Sequence, residues 1–192
     1  MTRATAQSSQ VNDLIRRLDA AVATDDPHVI CQNVKRVLEE VVSAGEHFVS
    51  ADFLKPAPDR YARRLLHRDP TGRYTVVVMV WDRGQGTPLH DHAGMWCVEC
   101  VYRGRIRVSS FDLIGDPEAG DVNFTPETVV LAGIGEAGAL IPPFEYHKIE
   151  NPDASPAVTL HVYGGEMSWS HAFVPVEGGG FRRETRQLSY SS

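Results

Sequence analysis

The chain is poor in cysteine, has no long apolar run and carries no excess of positive charge. Only three of its 192 residues are cysteine, Cys31, Cys97 and Cys100. So odd and sparse a set does not form the disulfide framework of a small secreted protein. No segment approaches the ~20 apolar residues that a membrane-spanning helix needs. The N-terminal stretch Met1 to Gln10 lacks the apolar core of a secretory signal. Lys and Arg number 19 against 25 Asp and Glu, a formal net charge of −6, which argues against nucleic acid or an anionic membrane as a partner. There is no internal repeat and no low-complexity block. These absences predict a cytoplasmic protein. Its 192 residues, 42% of them hydrophobic, are enough for one sizeable core, so a single domain over 1–192 is expected, as a monomer or a small homo-oligomer.

What is present divides into two textures. Val11, Leu14, Ile15, Leu18, Ala21 and Val22 recur at intervals of three and four, which aligns one apolar helical face. Asp26-Pro27 has the form of an N-cap followed by proline at the first helical position. Val34, Val37, Leu38, Val41 and Val42 continue the period through a second helix. Residues 1–60 are therefore expected to form a mostly helical extension, with His28 and His47 at its surface or caps and Cys31 in its core. From Tyr74 the pattern shortens. Val76 to Trp81, Arg105 to Leu113, Thr128 to Ile134, Ala157 to Tyr163 and Ala172 to Val176 read as strands between Gly and Pro clusters. Many short strands separated by turns predict a mainly β protein, a sandwich or a double-sheet barrel over 74–190.

The segment most informative about chemistry is Gly84 to Gly104, where His90, His92 and Cys97 fall between glycines. Residues two apart on a strand share a face, so His90 and His92 are expected to project inward together. Paired imidazoles can chelate one first-row metal ion, and neutral imidazole suits Fe, Zn, Cu or Ni. Downstream, His147 is followed four positions later by Asn151.

The two segments together resemble the two motifs of the cupin superfamily, a jelly-roll-like double-sheet barrel. Pro142-Pro143-Phe144 departs from the second motif by lacking its glycine. Where a typical cupin has a metal-binding glutamate this chain has Cys97, with Glu99 nearby as a substitute ligand. Three neutral imidazoles, His90, His92 and His147, would leave a metal its full positive charge, which favours a thiolate ligand.

The resemblance narrows to the cysteine dioxygenase family of thiol dioxygenases, which bind ferrous iron on three histidines. Mammalian members have a cysteine at the position of Cys97, joined by a thioether bond to a tyrosine that matches Tyr163. Thr159, His161 and Tyr163 alternate along one strand face as the family's serine, histidine and tyrosine relay does, with threonine replacing serine. Ser170-His171-Ala172-Phe173 is similar to a Cys-His-Ala-Phe segment of the mammalian enzymes, and His171 is expected to be structural. Tyr61-Ala62-Arg63 resembles the segment whose arginine binds the substrate carboxylate, with Arg64 the alternative to Arg63. His67 is expected at the surface, and Cys100 on the strand face opposite Cys97. The resemblance implies Fe(II) as cofactor, with a small thiol and O₂ as partners. The product would be a sulfinic acid, cysteine sulfinic acid if the substrate is L-cysteine. The alternatives are a dioxygenase for 3-mercaptopropionate or another thiol acid, a type that has glutamine where Arg63 stands, and a non-redox cupin, either an isomerase or a binding protein.

Overall fold

The computed structural model describes residues 2–45, 48–116, 121–143 and 145–191, with side chains from residue 9 onward. His47 and Phe144 lie outside the described residues. Two helices open the chain, α1 (Thr2–Ala21) and α2 (Pro27–Ser43). The stop and start between them follow the sequence. The Asp26 side chain accepts a hydrogen bond from His28 N at 2.9 Å, and Pro27 takes the first helical position. His28 itself is exposed.

Among the described residues eleven strands follow: β1 (Ala62–Arg68), β2 (Thr75–Trp81), β3 (Leu89–His90), β4 (Cys97–Arg103), β5 (Ile106–Ile114), β6 (Asp121–Ala132), β7 (Ala137–Leu140), β8 (His147–Glu150), β9 (Ala157–Tyr163), β10 (Trp169–Pro175) and β11 (Phe181–Gln187). One sheet runs in the order β1-β2-β9-β4-β7, and the other closes as β10-β11-β6-β5-β8-β3. The β-region thus begins at Ala62, twelve residues before the expected boundary at 74. The sequence hides β1 because Arg63, Arg64, His67 and Arg68 give it no apolar alternation. Each has a local reason to be there. Arg64 donates from Nη1 to the carbonyls of Phe53 and Lys55, at 3.2 and 2.6 Å. His67 is half-buried, not fully at the surface. It packs against the Tyr74 ring at 5.6 Å between centroids, with Nε2 buried.

The five-stranded sheet is covered on both faces, which explains why its central strands are apolar almost throughout. Val76, Val78 and Val80 of β2, Val98, Cys100 and Tyr102 of β4, and Val158, Leu160 and Val162 of β9 pack outward against Leu14, Leu18, Val34 and Leu38 of the helices. Cys31 joins this outer core, and Cys100 lies on the face opposite Cys97, as expected. The alternate residues Val77, Met79, Trp81, Cys97, Val101, Ala157 and Tyr163 turn inward. Among the described residues no helix is long and apolar enough to cross a membrane.

Candidate metal centre

Interior positions of β1, β2 and β9 face the short strands β3 and β8 across a cavity of about 330 Å³. His90 ends β3 and pairs directly with His147 at the start of β8. His92 arrives by a different route from the one expected. β3 stops at His90, so His92 is not two residues along a strand but sits in the turn that follows. The Asp91 carboxylate bends the chain there, accepting from Ala93 N at 3.1 Å and from His171 N at 2.9 Å, with His171 Nδ1 at 2.7 Å. Ala93 takes a positive φ of 54° to complete the turn. His171 thereby acts as the structural residue the sequence suggested, and Asp91 is the partner that sequence reasoning missed.

The three rings face one another at centroid separations of 4.6, 4.9 and 5.2 Å. One nitrogen from each falls within 4.8 Å of the others. His90 Nδ1 lies 3.1 Å from the Pro88 carbonyl, which holds the proton on Nδ1 and leaves Nε2 free for a ligand. His92 Nδ1 and both nitrogens of His147 are buried without a hydrogen-bond partner. Orphaned imidazole nitrogens are costly in a protein interior, and a shared metal ion removes that cost. Burial pushes the pKa of His92 and of His147 well below the usual imidazole value, so both remain neutral, the form that binds metal. The donor set therefore fits a metal ion. Glu99 is not part of it: the described donor atoms that converge are those of His90, His92 and His147.

The relay residues lie side by side on β9. Thr159 Oγ1 is 2.7 Å from His161 Nε2 and accepts from the Trp81 indole Nε1 at 2.9 Å. His161 Nδ1 is 3.4 Å from the Tyr163 hydroxyl. Indole can only donate, so the Thr159 hydroxyl is free to give its own proton to His161 Nε2. That leaves a proton on Nδ1 facing Tyr163, and the Tyr163 hydroxyl hydrogen turned to the cavity wall, where Met79 Sδ accepts it weakly at 4.0 Å. Burial, with Arg63 nearby, lowers the His161 pKa to about 3, and burial raises that of Tyr163 well above its usual value, so both are neutral. In the sequence Trp81 reads as a buried strand residue that, with Gly84 and Gly86, precedes the first histidine pair much as in the cysteine dioxygenase family, with no role attached to its N–H. Its indole N–H anchors the relay.

Cys97 stands directly opposite Tyr163 in the β4–β9 register. Both are buried, and burial next to Glu99 raises the Cys97 thiol well above its usual value. Arg63 lines the cavity, 4% exposed, with its guanidinium 5.8 Å from the Tyr163 ring centroid and 4.7 Å from that of Tyr190. Its Nη2 donates to the Met167 carbonyl at 2.7 Å, and among the described residues no carboxylate pairs with it. Arg64, the alternative, points to the other face of β1. Tyr61 stacks on Trp81 at 4.6 Å and also lines the cavity, as does Ser170.

A double-sheet barrel holding a three-histidine cluster in its cavity defines a cupin with a candidate metal centre. The profile of the family described as cysteine dioxygenase type I matches residues 1–175, and the chain belongs to that family. Cysteine dioxygenase type 1 of Rattus norvegicus is 27% identical over 162 residues, 84% of this chain and 77% of its own. The Homo sapiens enzyme is 26% identical over the same shares. Among solved structures, a protein with a double-stranded β-helix domain from Klebsiella pneumoniae is 18% identical. It covers 64% of this chain and 93% of its own, at a TM-score of 0.47.

Proposed function

We propose that the protein is an iron-dependent thiol dioxygenase that adds both atoms of O₂ to the sulfur of a small thiol carboxylate, L-cysteine before other thiol acids. One observation carries the reading. Three neutral imidazoles, two buried and one half-buried, and an arginine that no carboxylate pairs with among the described residues line the same cavity. His90, His92 and His147 would hold the metal, and the family points to Fe(II). When bound, ferrous iron would supply the open coordination positions and the one-electron chemistry that O₂ requires.

The chain's own residues would do the rest. A buried guanidinium without a counter-charge is costly, and a substrate carboxylate supplies the missing partner. Arg63 thus anchors the acid end of the substrate and points its sulfur toward the histidines. The Tyr163 hydroxyl, its hydrogen left free by His161 and Thr159, donates a hydrogen bond to the developing negative charge at sulfur or oxygen. Trp81 holds Thr159 and the stacked Tyr61 closes the wall, limiting water around the sulfur. The overall change is thiol plus O₂ to sulfinic acid, with no external reductant.

Cys97 and Tyr163 are the pair we propose to join in a thioether, the thiol hydrogen and one ring hydrogen leaving as two protons and two electrons that reduce O₂ to hydrogen peroxide. An aerobic assay of the ferrous protein with cysteine, 3-mercaptopropionate and cysteamine tests the reading. The two acids should be oxidised with matched O₂ uptake and sulfinate release, and cysteamine poorly. Oxidation of cysteamine as fast as the acids would contradict the role of Arg63. No thiol-dependent O₂ uptake at all would overturn the reading.

A further inference from the structure

Glu99 has no place in the mechanism above, yet it is 4% exposed and points into the barrel between Cys97 and Val101. Leucine would fill that position without desolvating a charge. A buried carboxyl costs several kcal/mol unless it finds partners. The polar atoms facing it are imidazole nitrogens: Oε1 lies 3.9 Å from His147 Nδ1, and Oε2 lies 3.7 Å from His161 Nδ1. Oε2 and His147 Nδ1 are both buried and unpaired. The unsatisfied His147 Nδ1 on β8 thus has Glu99 Oε1 as its facing acceptor at 3.9 Å, and the unsatisfied Glu99 Oε2 faces His161 Nδ1 on β9 at 3.7 Å.

From this we infer that Glu99 is a positioning residue that orients the metal ligand His147 through Nδ1 and reaches His161 with its other oxygen, joining the ligand set to the tyrosine relay. The inference rests on the three-histidine centre proposed above and is independent of which thiol, if any, is oxidised. A histidine that ligates through one nitrogen keeps its ring in place by donating from the other. His90 does so to the Pro88 carbonyl at 3.1 Å, and Glu99 offers His147 the equivalent acceptor. A small torsion of the Glu99 side chain closes the gap, or a water does. Water has a route, because Glu99 also lines a second cavity, of about 300 Å³, on the side away from the substrate cavity. Burial raises the Glu99 pKa to about 8, and in either protonation state a carboxyl oxygen placed behind the ligand can accept from its Nδ1–H without occupying a coordination position.

The His161 end has a separate consequence. One Nδ1–H faces both the Tyr163 hydroxyl at 3.4 Å and Glu99 Oε2 at 3.7 Å. The Glu99 carboxyl oxygen thus helps hold that proton on Nδ1, which keeps Tyr163 a donor toward the cavity.

The test is anaerobic and contains no thiol. Fe(II) affinity is measured by chelator competition, and the visible spectrum of the Co(II)-loaded protein is recorded, for wild type, Glu99→Gln and Glu99→Leu. Glu136→Gln is the control, since Glu136 lines the same second cavity and pairs with no histidine. Glu99→Leu should bind Fe(II) roughly 10–100-fold more weakly, with Glu99→Gln between it and wild type. The Co(II) spectrum should move in both Glu99 variants and stay fixed in the control. Wild-type affinity and an unmoved spectrum in Glu99→Gln would overturn the inference, and this variant decides alone if Glu99→Leu does not fold. A protein that oxidises no thiol but loses metal affinity on Glu99→Leu would keep this inference and defeat the dioxygenase reading.

Discussion

Arg63 and Arg64 are adjacent in sequence and chemically identical, and the strand sends them to opposite environments. Arg63 reaches the cavity beside Tyr163, and Arg64 binds two backbone carbonyls on the outer face. Residue type alone left both open, and the pleat of β1 separates them. Arg63→Ala should lower kcat/KM for thiol acids roughly tenfold to a hundredfold, the worth of a charge-assisted contact in a partly buried pocket, and should flatten the preference over cysteamine. Arg64→Ala should leave that preference in place. Steady-state kinetics on the two variants check both outcomes, and an equal effect of the two would contradict the assignment. The facing positions of Cys97 and Tyr163 carry a second expectation at this scale. After many turnovers with substrate, part of the wild-type protein should have lost two hydrogens by intact mass, and Cys97→Ala should show no such loss. A wild-type chain of unaltered mass would refute the thioether.

At the scale of elements, the glycines of the first motif explain how short strands are held in place. Gly86 bridges to Glu150 beside β8. A Cβ at Gly86 would stand 2.5 Å from the Ile149 carbonyl oxygen, a backbone atom that can yield only by moving β8 and with it His147. Thr87 fastens the same strand, donating from N to the Ile149 carbonyl at 2.9 Å and accepting from Ile149 N at 3.0 Å. Gly86→Ala should therefore cost about 1–3 kcal/mol of stability and weaken metal binding. Both can be read from thermal melts with and without Fe(II) and from chelator competition, and a variant with wild-type melting and affinity would contradict this role. The sequence showed that glycines frame the histidines but not why. Close approach of one backbone to another leaves no trace in periodicity. The same is true of His92, whose inward position comes from the Asp91-held turn and not from strand alternation.

Across the whole molecule, the two helices and most central strands were legible because they bury apolar faces at periods of 3.6 and 2. β1 and β7 were not. β1 spends its alternation on arginines with separate tasks, and β7 is Ala-Gly-Ala-Leu, too small and too short to signal. The three histidines were singled out by their spacing together with the cupin-like motifs, and the structure brings them together. What Trp81, Asp91 and Glu99 touch was not legible, since those contacts are made across the barrel.

One tie between the two textures is ionic. Arg73 Nη2 pairs with Asp19 of α1 at 2.6 Å and with Asp69 at 2.8 Å. Hydrogen bonds from Arg73 hold the Asp69 carboxyl far below its usual range. A carboxyl depressed in this way stabilises the fold fully above its unfolded value, near ~4, and loses that contribution as pH falls toward the folded value. Asp69→Asn should therefore melt lower than wild type at neutral pH, and the gap should narrow as the pH falls below about 4. A gap that stays constant from pH 7 to pH 2 would contradict the linkage.

The central claim is that this cavity transfers both atoms of O₂ to one thiol sulfur. Its most direct measurement is product mass after single-substrate turnover of the Fe(II)-loaded protein under heavy-oxygen O₂ in ordinary water. The account predicts a sulfinate carrying both heavy atoms, formed in step with O₂ uptake and absent from His90→Ala, His92→Ala and His147→Ala. Disulfide as the sole product, or a sulfinate with one oxygen drawn from water, would contradict it.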